Sequence, residues 1–199
     1  MTSSEILKYF KSNGGYARMS QLKAAGIHTR TIKDLHESGI ITKVKPGLYR
    51  LSKVQPRSES GMVEVCLAMP KAVVCLTSAL SFHGLTTFLP TKIAVAIPRD
   101  SKPNKIKSNP VETFYYSPAQ YKAGIEQRST QSGLIRIYNR EKSVCDAFRY
   151  RNKIGPDLAI ESLREYLRDP KRNVNTLMKF AEICRVKRIV SQYTKAILG

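Results

Sequence analysis

The chain has 199 residues, enough for one domain or for a small domain followed by a medium one. Hydrophobic residues at 42% and charged residues at 25% exclude a disordered chain. The 34 Lys and Arg against 15 Asp and Glu leave a net charge of +19, and such self-repulsion points to a polyanionic partner.

Nucleic acid fits that partner better than a membrane surface. No stretch approaches the ~18 consecutive apolar residues of a spanning helix. The start, Met1-Thr2-Ser3-Ser4-Glu5, lacks the basic and apolar regions of a signal peptide, so the expected location is the cytoplasm. Cys66, Cys75, Cys145 and Cys184 are widely spaced among apolar neighbours and include no C-x-x-C pair. They read as buried free thiols, with neither a metal nor a cofactor implied.

Residues 1–52 predict three short helices and a hairpin. Ser3 or Ser4 caps a first helix carrying Ile6, Leu7 and Phe10, and Gly14-Gly15 ends it. Tyr16-Ala17-Arg18 reads as an extended link. Ser20 is the expected cap of a second helix with Leu22 and Ala25 inward, stopped by Gly26. Thr29 is the expected cap of a third, with Ile32 and Leu35 inward and Gly39 closing it. Ile40–Val44 and Leu48–Leu51 are β-rich runs joined by Lys45-Pro46-Gly47, a hairpin signal. A polar stretch at 53–60, with Pro56, Arg57, Ser58 and Ser60, marks the expected linker.

Residues 61–199 are expected to form a mixed α/β domain. Met62–Met69 has helical apolar density, and Val73–Leu76 reads as a buried strand. Thr77 is the expected cap of a helix ending near Gly84. Ile93–Ile97, Thr113–Tyr116 and Leu134–Tyr138 predict strands, the first followed by a Lys-rich loop. From about 140 to 198 the pattern is helical: Lys142–Arg151, Asp157–Leu167, a segment from Asn173 or Asn175 to Ile183, and Val186–Leu198. The expected fold class is therefore α+β: an N-terminal winged helix-turn-helix followed by a mixed α/β domain ending in a helical bundle.

Three helices and a hairpin in about fifty residues is the winged helix-turn-helix plan. With Ile32 and Leu35 inward, Thr29, Arg30, Thr31 and Lys33 face outward on the helix that would enter a major groove. Arg30 offers a bidentate fork to guanine, Thr29 and Thr31 suit phosphate, and His28 precedes the helix. Lys43, Lys45 and Arg50 on the hairpin suit a phosphate ridge or minor groove. The bland alternative is a docking module with a solvated charged helix face.

Four stretches resemble a known family. Gly15-Tyr16-Ala17-Arg18-Met19-Ser20-Gln21-Leu22-Lys23-Ala24-Ala25-Gly26-Ile27 is similar to the opening of AbiEi-type antitoxins, as is Gly39-Ile40-Ile41 leading to Pro46-Gly47-Leu48-Tyr49. Leu76–Thr86, containing Ser81-Phe82-His83-Gly84, and Tyr138–Arg151, containing Glu141-Lys142 and Cys145-Asp146, are the more specific pair. The resemblance implies a DNA-binding antitoxin of a type IV system linked to abortive infection by phage. Such a protein represses its own operon through promoter inverted repeats and counteracts a nucleotidyltransferase-like toxin without a stable complex. Carried over by position, Arg30, Thr31 and Lys33 fall on the recognition helix and Lys45 on the wing. The resemblance does not imply an enzyme, and the oligomeric state is not legible.

Two catalytic readings compete in the second half. Ser81, His83 and Asp146 contain the residue types of a triad but lack the Gly-x-Ser-x-Gly elbow. Glu141 and Asp146 suggest a metal-dependent, nuclease-like processing enzyme, the runner-up function. Five positions apart they share a helix face poorly, and magnesium would need a third ligand. The excess of cations there is better read as an auxiliary basic face for phosphates: Lys102, Lys105, Lys107, Arg149, Arg151, Lys153, Arg185, Lys187 and Arg188. A packaging protein without sequence preference is the remaining alternative.

Overall fold

The computed structural model describes residues 3–53, 59–102, 106 and 109–199. Most of the expected linker, residues 54–58, and the loop lysines Lys105 and Lys107 lie outside the described residues. The fold is mixed α+β with two sheets, and the chain divides into two units. The first is Met1–Pro70 with short later segments that include Asn109 and Ser129–Ile135; the second holds the rest.

The first unit runs α1 (Ser3–Ser12), β1 (Tyr16–Arg18), α2 (Met19–Ala24), α3 (Thr29–Glu37), β2 (Ile41–Lys45), β3 (Leu48–Leu51) and α4 (Ser60–Ala68). Its antiparallel sheet has the order β1-β3-β2, with Ala17 opposite Tyr49 and Ile41 opposite Leu51. Ile6 and Phe10 of α1, Leu22 of α2, and Ile32 and Leu35 of α3 close on Ile41 and Leu51 in one core. Leu22 is 0% exposed, and burying a side chain of its kind stabilises by about 1.5–3 kcal/mol. Truncating it would also leave a cavity.

The second and third helices start earlier than expected, by two residues and by one. Arg18 precedes α2, so Ser20 lies inside it; His28 precedes α3, so Thr29 is its first residue. The expected link Tyr16–Arg18 is a strand, because its backbone pairs with Leu48–Arg50. The break between α2 and α3 rests on Gly26. Its φ of +78° lets the Ile27 N–H reach the Leu22 carbonyl at 3.0 Å and the Gly26 N–H reach Lys23 at 2.9 Å. The first unit also runs past residue 52, because side chains of β1, β2 and β3 hold α4 against it.

The second unit contains β4 (Val73–Val74), α5 (Leu76–Phe82), β5 (Ile93–Pro98), β6 (Val111–Tyr116), α6 (Pro118–Lys122), β7 (Ile125–Thr130), β8 (Gly133–Tyr138), α7 (Arg140–Arg149), α8 (Arg151–Ile154), α9 (Pro156–Arg168), α10 (Val174–Ile183) and α11 (Lys187–Leu198), apart from the β7–β8 tip. The sheet order is β6-β5-β4-β8-β7; β5 and β6 are parallel, while β4 and β5 are antiparallel. Ala94–Ile97 are all buried, as a central strand covered on both faces requires. Here Cys75, not Thr77, precedes α5. Three elements were not expected, α6, β7 and the short α8, which splits the end of the expected Lys142–Arg151 helix from α7. The strand Ile-Glu-Gln-Arg-Ser-Thr is polar because it forms a sheet edge, where no apolar alternation is needed.

α7 organises this unit. Asn139 caps it by accepting from the Lys142 N–H at 2.9 Å, and every residue from Lys142 to Phe148 is buried. Among the buried side chains are opposite charges one turn apart. Lys142 Nζ lies 2.6 Å from both carboxylate oxygens of Asp146, and both side chains are fully buried. The ammonium also sits 4.2 Å from the Tyr138 ring centroid and 4.8 Å from that of Tyr116. Gly124, at φ +74°, passes so close that a Cβ there would stand 2.8 Å from Lys142 Cβ. Leu163, Tyr166 and Leu167 of α9, Leu177 and Ala181 of α10 and Val190 of α11 complete the surrounding core.

Removing one partner of such a pair leaves a buried charge unmatched. Lys142→Ala is expected to lower stability by about 3–5 kcal/mol in urea unfolding, whereas Lys142→Met with Asp146→Leu should recover most of the loss. A single-mutant loss no larger than that of a surface pair would mean that water reaches the site.

Candidate nucleic-acid interface

α3 turns Ile32 and Leu35 into the core, at 1% and 5% exposure, and leaves His28, Thr29, Arg30 and Lys33 on the surface. Thr31 is half-buried. The first turn carries no acidic residue and receives no side-chain cap from His28. The N-terminal N–H groups of a helix and its positive dipole end favour an anion. Asp34 and Glu37 sit later on the helix, and Glu37 pairs with Lys33 at 3.6 Å. Both partners are well exposed, so the pair holds Lys33 only weakly.

The hairpin residues divide. Lys43 is exposed on β2. Lys45 instead donates to the Ala68 carbonyl at 2.6 Å, and Arg18 donates to the Leu67 carbonyl at 2.7 Å. Two cations thus satisfy the C-terminal carbonyls of α4, where the helix dipole is negative. Arg50 Nε lies 3.7 Å from Glu64 Oε2 of α4, whose side chain is only 4% exposed. Glu64 also accepts from the Tyr16 hydroxyl at 3.4 Å and from Asn109 Nδ2 at 2.8 Å. Lys45 and Arg50, expected on a DNA-facing wing, are therefore engaged with α4. Their geometry explains why α4 belongs to the first unit. Spacing alone could not reveal these ties, since Glu64 is 14 residues beyond Arg50 in an apolar run; an acid inside that run was the one available signal.

In the second unit Lys102 is exposed after β5. Arg149 donates to the Cys184 carbonyl at 3.1 Å, which brings it to the α10–α11 turn carrying Arg185. Arg185 and Arg188 are exposed; Lys187 pairs with Glu182 at 3.0 Å. Arg151 is half-buried and donates to the Phe148 carbonyl, while exposed Lys153 stands 5.9 Å from the Tyr150 and Phe114 ring centroids. Arg149, Arg185, Lys187 and Arg188 form one cluster around that turn.

His83, Asp146 and Glu141 are each held by other partners. His83 Nε2 donates to the Tyr138 carbonyl at 2.7 Å, and burial holds its pKa below the ordinary imidazole value. Asp146 is closed in by Lys142 and accepts from the Cys184 thiol at 3.4 Å. Glu141 accepts from the Tyr166 hydroxyl at 2.9 Å. The carboxylate proposed as a metal ligand is thus fully buried against a cation. Burial pushes the Cys75 and Cys145 thiols well above their ordinary pKa, so they remain protonated near neutrality.

Residues 4–52 match the family model for a transcriptional regulator, AbiEi antitoxin. The match covers α1 through β3 and is consistent with a helix-turn-helix formed by α2 and α3. The matched family is described as one of transcriptional regulators and antitoxins. No curated protein matches the chain significantly. Among the described residues no helix is long and apolar enough to cross a membrane.

Burial, aided by the nearby Glu64 carboxylate, pushes the Tyr16 hydroxyl from its ordinary 10.0 up to about 12. The unfolded chain releases this proton first, so Tyr16's contribution is complete below pH 10 and is lost as the pH rises towards 12. Alkaline unfolding of Tyr16→Phe, followed by circular dichroism, should show a shallower fall over that range. An unchanged profile would place Tyr16 in contact with water.

Proposed function

We propose that the chain is a DNA-binding antitoxin and autorepressor of a type IV toxin–antitoxin operon. In this reading residues 1–52 form a winged helix-turn-helix, braced by α4, that recognises inverted repeats in its own promoter. The observation that carries it is the exposed, acid-free first turn of α3 within a segment matching a transcriptional-regulator family. Arg30 would present its fork to a base edge, while Thr29, Lys33 and the α3 N-terminus hold phosphates. Lys43 and His28 add backbone contacts. Lys45 and Arg50 act on the DNA through the placement of the hairpin rather than by touching it.

The second part, 61–199, carries the antitoxin role and counteracts a nucleotidyltransferase-like toxin in the cytoplasm without forming a stable complex. This extension rests on the sequence resemblance in Leu76–Thr86 and Tyr138–Arg151. The cluster of Arg149, Arg185, Lys187 and Arg188 supplies phosphate contacts that add affinity without sequence information.

Gel shifts on the native promoter test both contributions. Arg30→Ala should weaken binding by about 1–3 kcal/mol and relax base preference; unchanged discrimination would remove α3 from the role of reader. Arg185→Gln with Arg188→Gln should lower the salt slope by about 1 for each phosphate no longer neutralised, uniformly across sequences. Lys45→Ala should lower the melting temperature and leave that slope intact; a reduced slope would return Lys45 to the DNA.

A further inference from the structure

We propose that the exposed face of α9 is the contact between two copies of this chain, paired antiparallel about a two-fold axis. The inference is independent of the DNA-binding reading and rests on three features of the second unit.

The first is the order of charge along α9. Asp157, Glu161, Arg164, Glu165 and Arg168 recur at three- and four-residue intervals, so they share one face of the helix. The leading positions are acidic and both arginines come later. Three carboxylates stand with two guanidiniums on this face, Arg168 already paired with Glu165 three residues earlier, on a chain whose net charge is +19. A polyanion has little reason to approach this face, whereas two positively charged molecules can meet there without local repulsion. Antiparallel pairing places Asp157 opposite the partner's Arg168 and Glu161 opposite the partner's Arg164. The order is self-complementary only under a two-fold, as an isologous interface requires.

The second is the loop beside that face. Thr86 Oγ1 donates to Glu161 Oε2 at 3.0 Å, and the Thr87 N–H donates to Oε1 at 2.8 Å. The Phe88 N–H closes back on Thr86 Oγ1 at 3.0 Å. The pinned loop presents Leu89 at 81% and Phe88 at 49% exposure. Apolar groups already held in place lose little freedom on docking. The third feature is a groove between α9 and α11, lined by Arg164, Leu167, Arg168, Ile197 and Leu198. Ile160 lies two helical turns before Leu167 on the same flank. The two-fold carries it to the partner's groove.

Sedimentation equilibrium of the full chain at near-physiological salt tests the pairing. A concentration-dependent dimer is expected. Asp157→Arg and Arg168→Asp should each weaken it by about tenfold or more, because each homodimer then repeats a like-charge contact twice. An equimolar mixture of the two variants should restore dimerisation, since both contacts become opposite-charge pairs. Leu89→Asp should disrupt the dimer while the circular dichroism melt is retained. A chain that stays monomeric to its highest soluble concentration overturns the proposal, and so does a mixture no tighter than either variant alone. The mixing arm separates pairing from misfolding, because a misfolded variant is not rescued by a second misfolded one.

Discussion

The ion pair between Lys142 and Asp146 fixes the arrangement of the second unit. Two charges enclosed at 2.6 Å in an apolar interior are tolerable only with every neighbour in place. Tyr138 and Tyr116 line up their rings on the ammonium, the Cys184 thiol donates to the carboxylate, and Gly124 leaves room for the lysine stem. These groups come from β6, β8, the turn before β7 and the end of α10. One pair thus registers the sheet against the helices and permits few alternative packings.

Charge is also sorted rather than spread. Some cations are internal fastenings: Lys45 and Arg18 hold α4 by its terminal carbonyls, and Arg50 faces Glu64. Others stand exposed on the first turn of α3 and around the α10–α11 turn. The carboxylates of α9 occupy a surface of different character. A net charge of +19 therefore overstates the number of cations free to meet a polyanion at once.

Much of this was legible in the sequence where periodicity was strong. Ile32 and Leu35 placed the inward face of α3, and the helices from 156 to 198 followed from their apolar spacing. Short or polar elements were not legible. β1 is three residues long, too short to show alternation, and β7 is a polar edge strand. Side chains whose meaning depends on distant partners are the ones that sequence misplaces. Lys45 and Arg50 look like solvent-facing wing residues because their partners lie on α4. Asp146 looks like a ligand because its burial is invisible in the sequence, although its i,i+4 spacing from Lys142 was a signal for the pair.

The tie between the hairpin and α4 has a consequence for dissecting the protein. The sequence suggests cutting after residue 52, where composition changes. Such a fragment would keep the regions matched to the regulator family yet lose the carbonyls that receive Arg18 and Lys45 and the carboxylate opposite Arg50. Three tethered cations would be released, and the fragment would bind polyanions by a surface that the intact chain keeps covered. Its affinity would then describe an artificial ligand trap. The minimal faithful piece of the first unit is defined by where its lysines and arginines end, not by where α3 does.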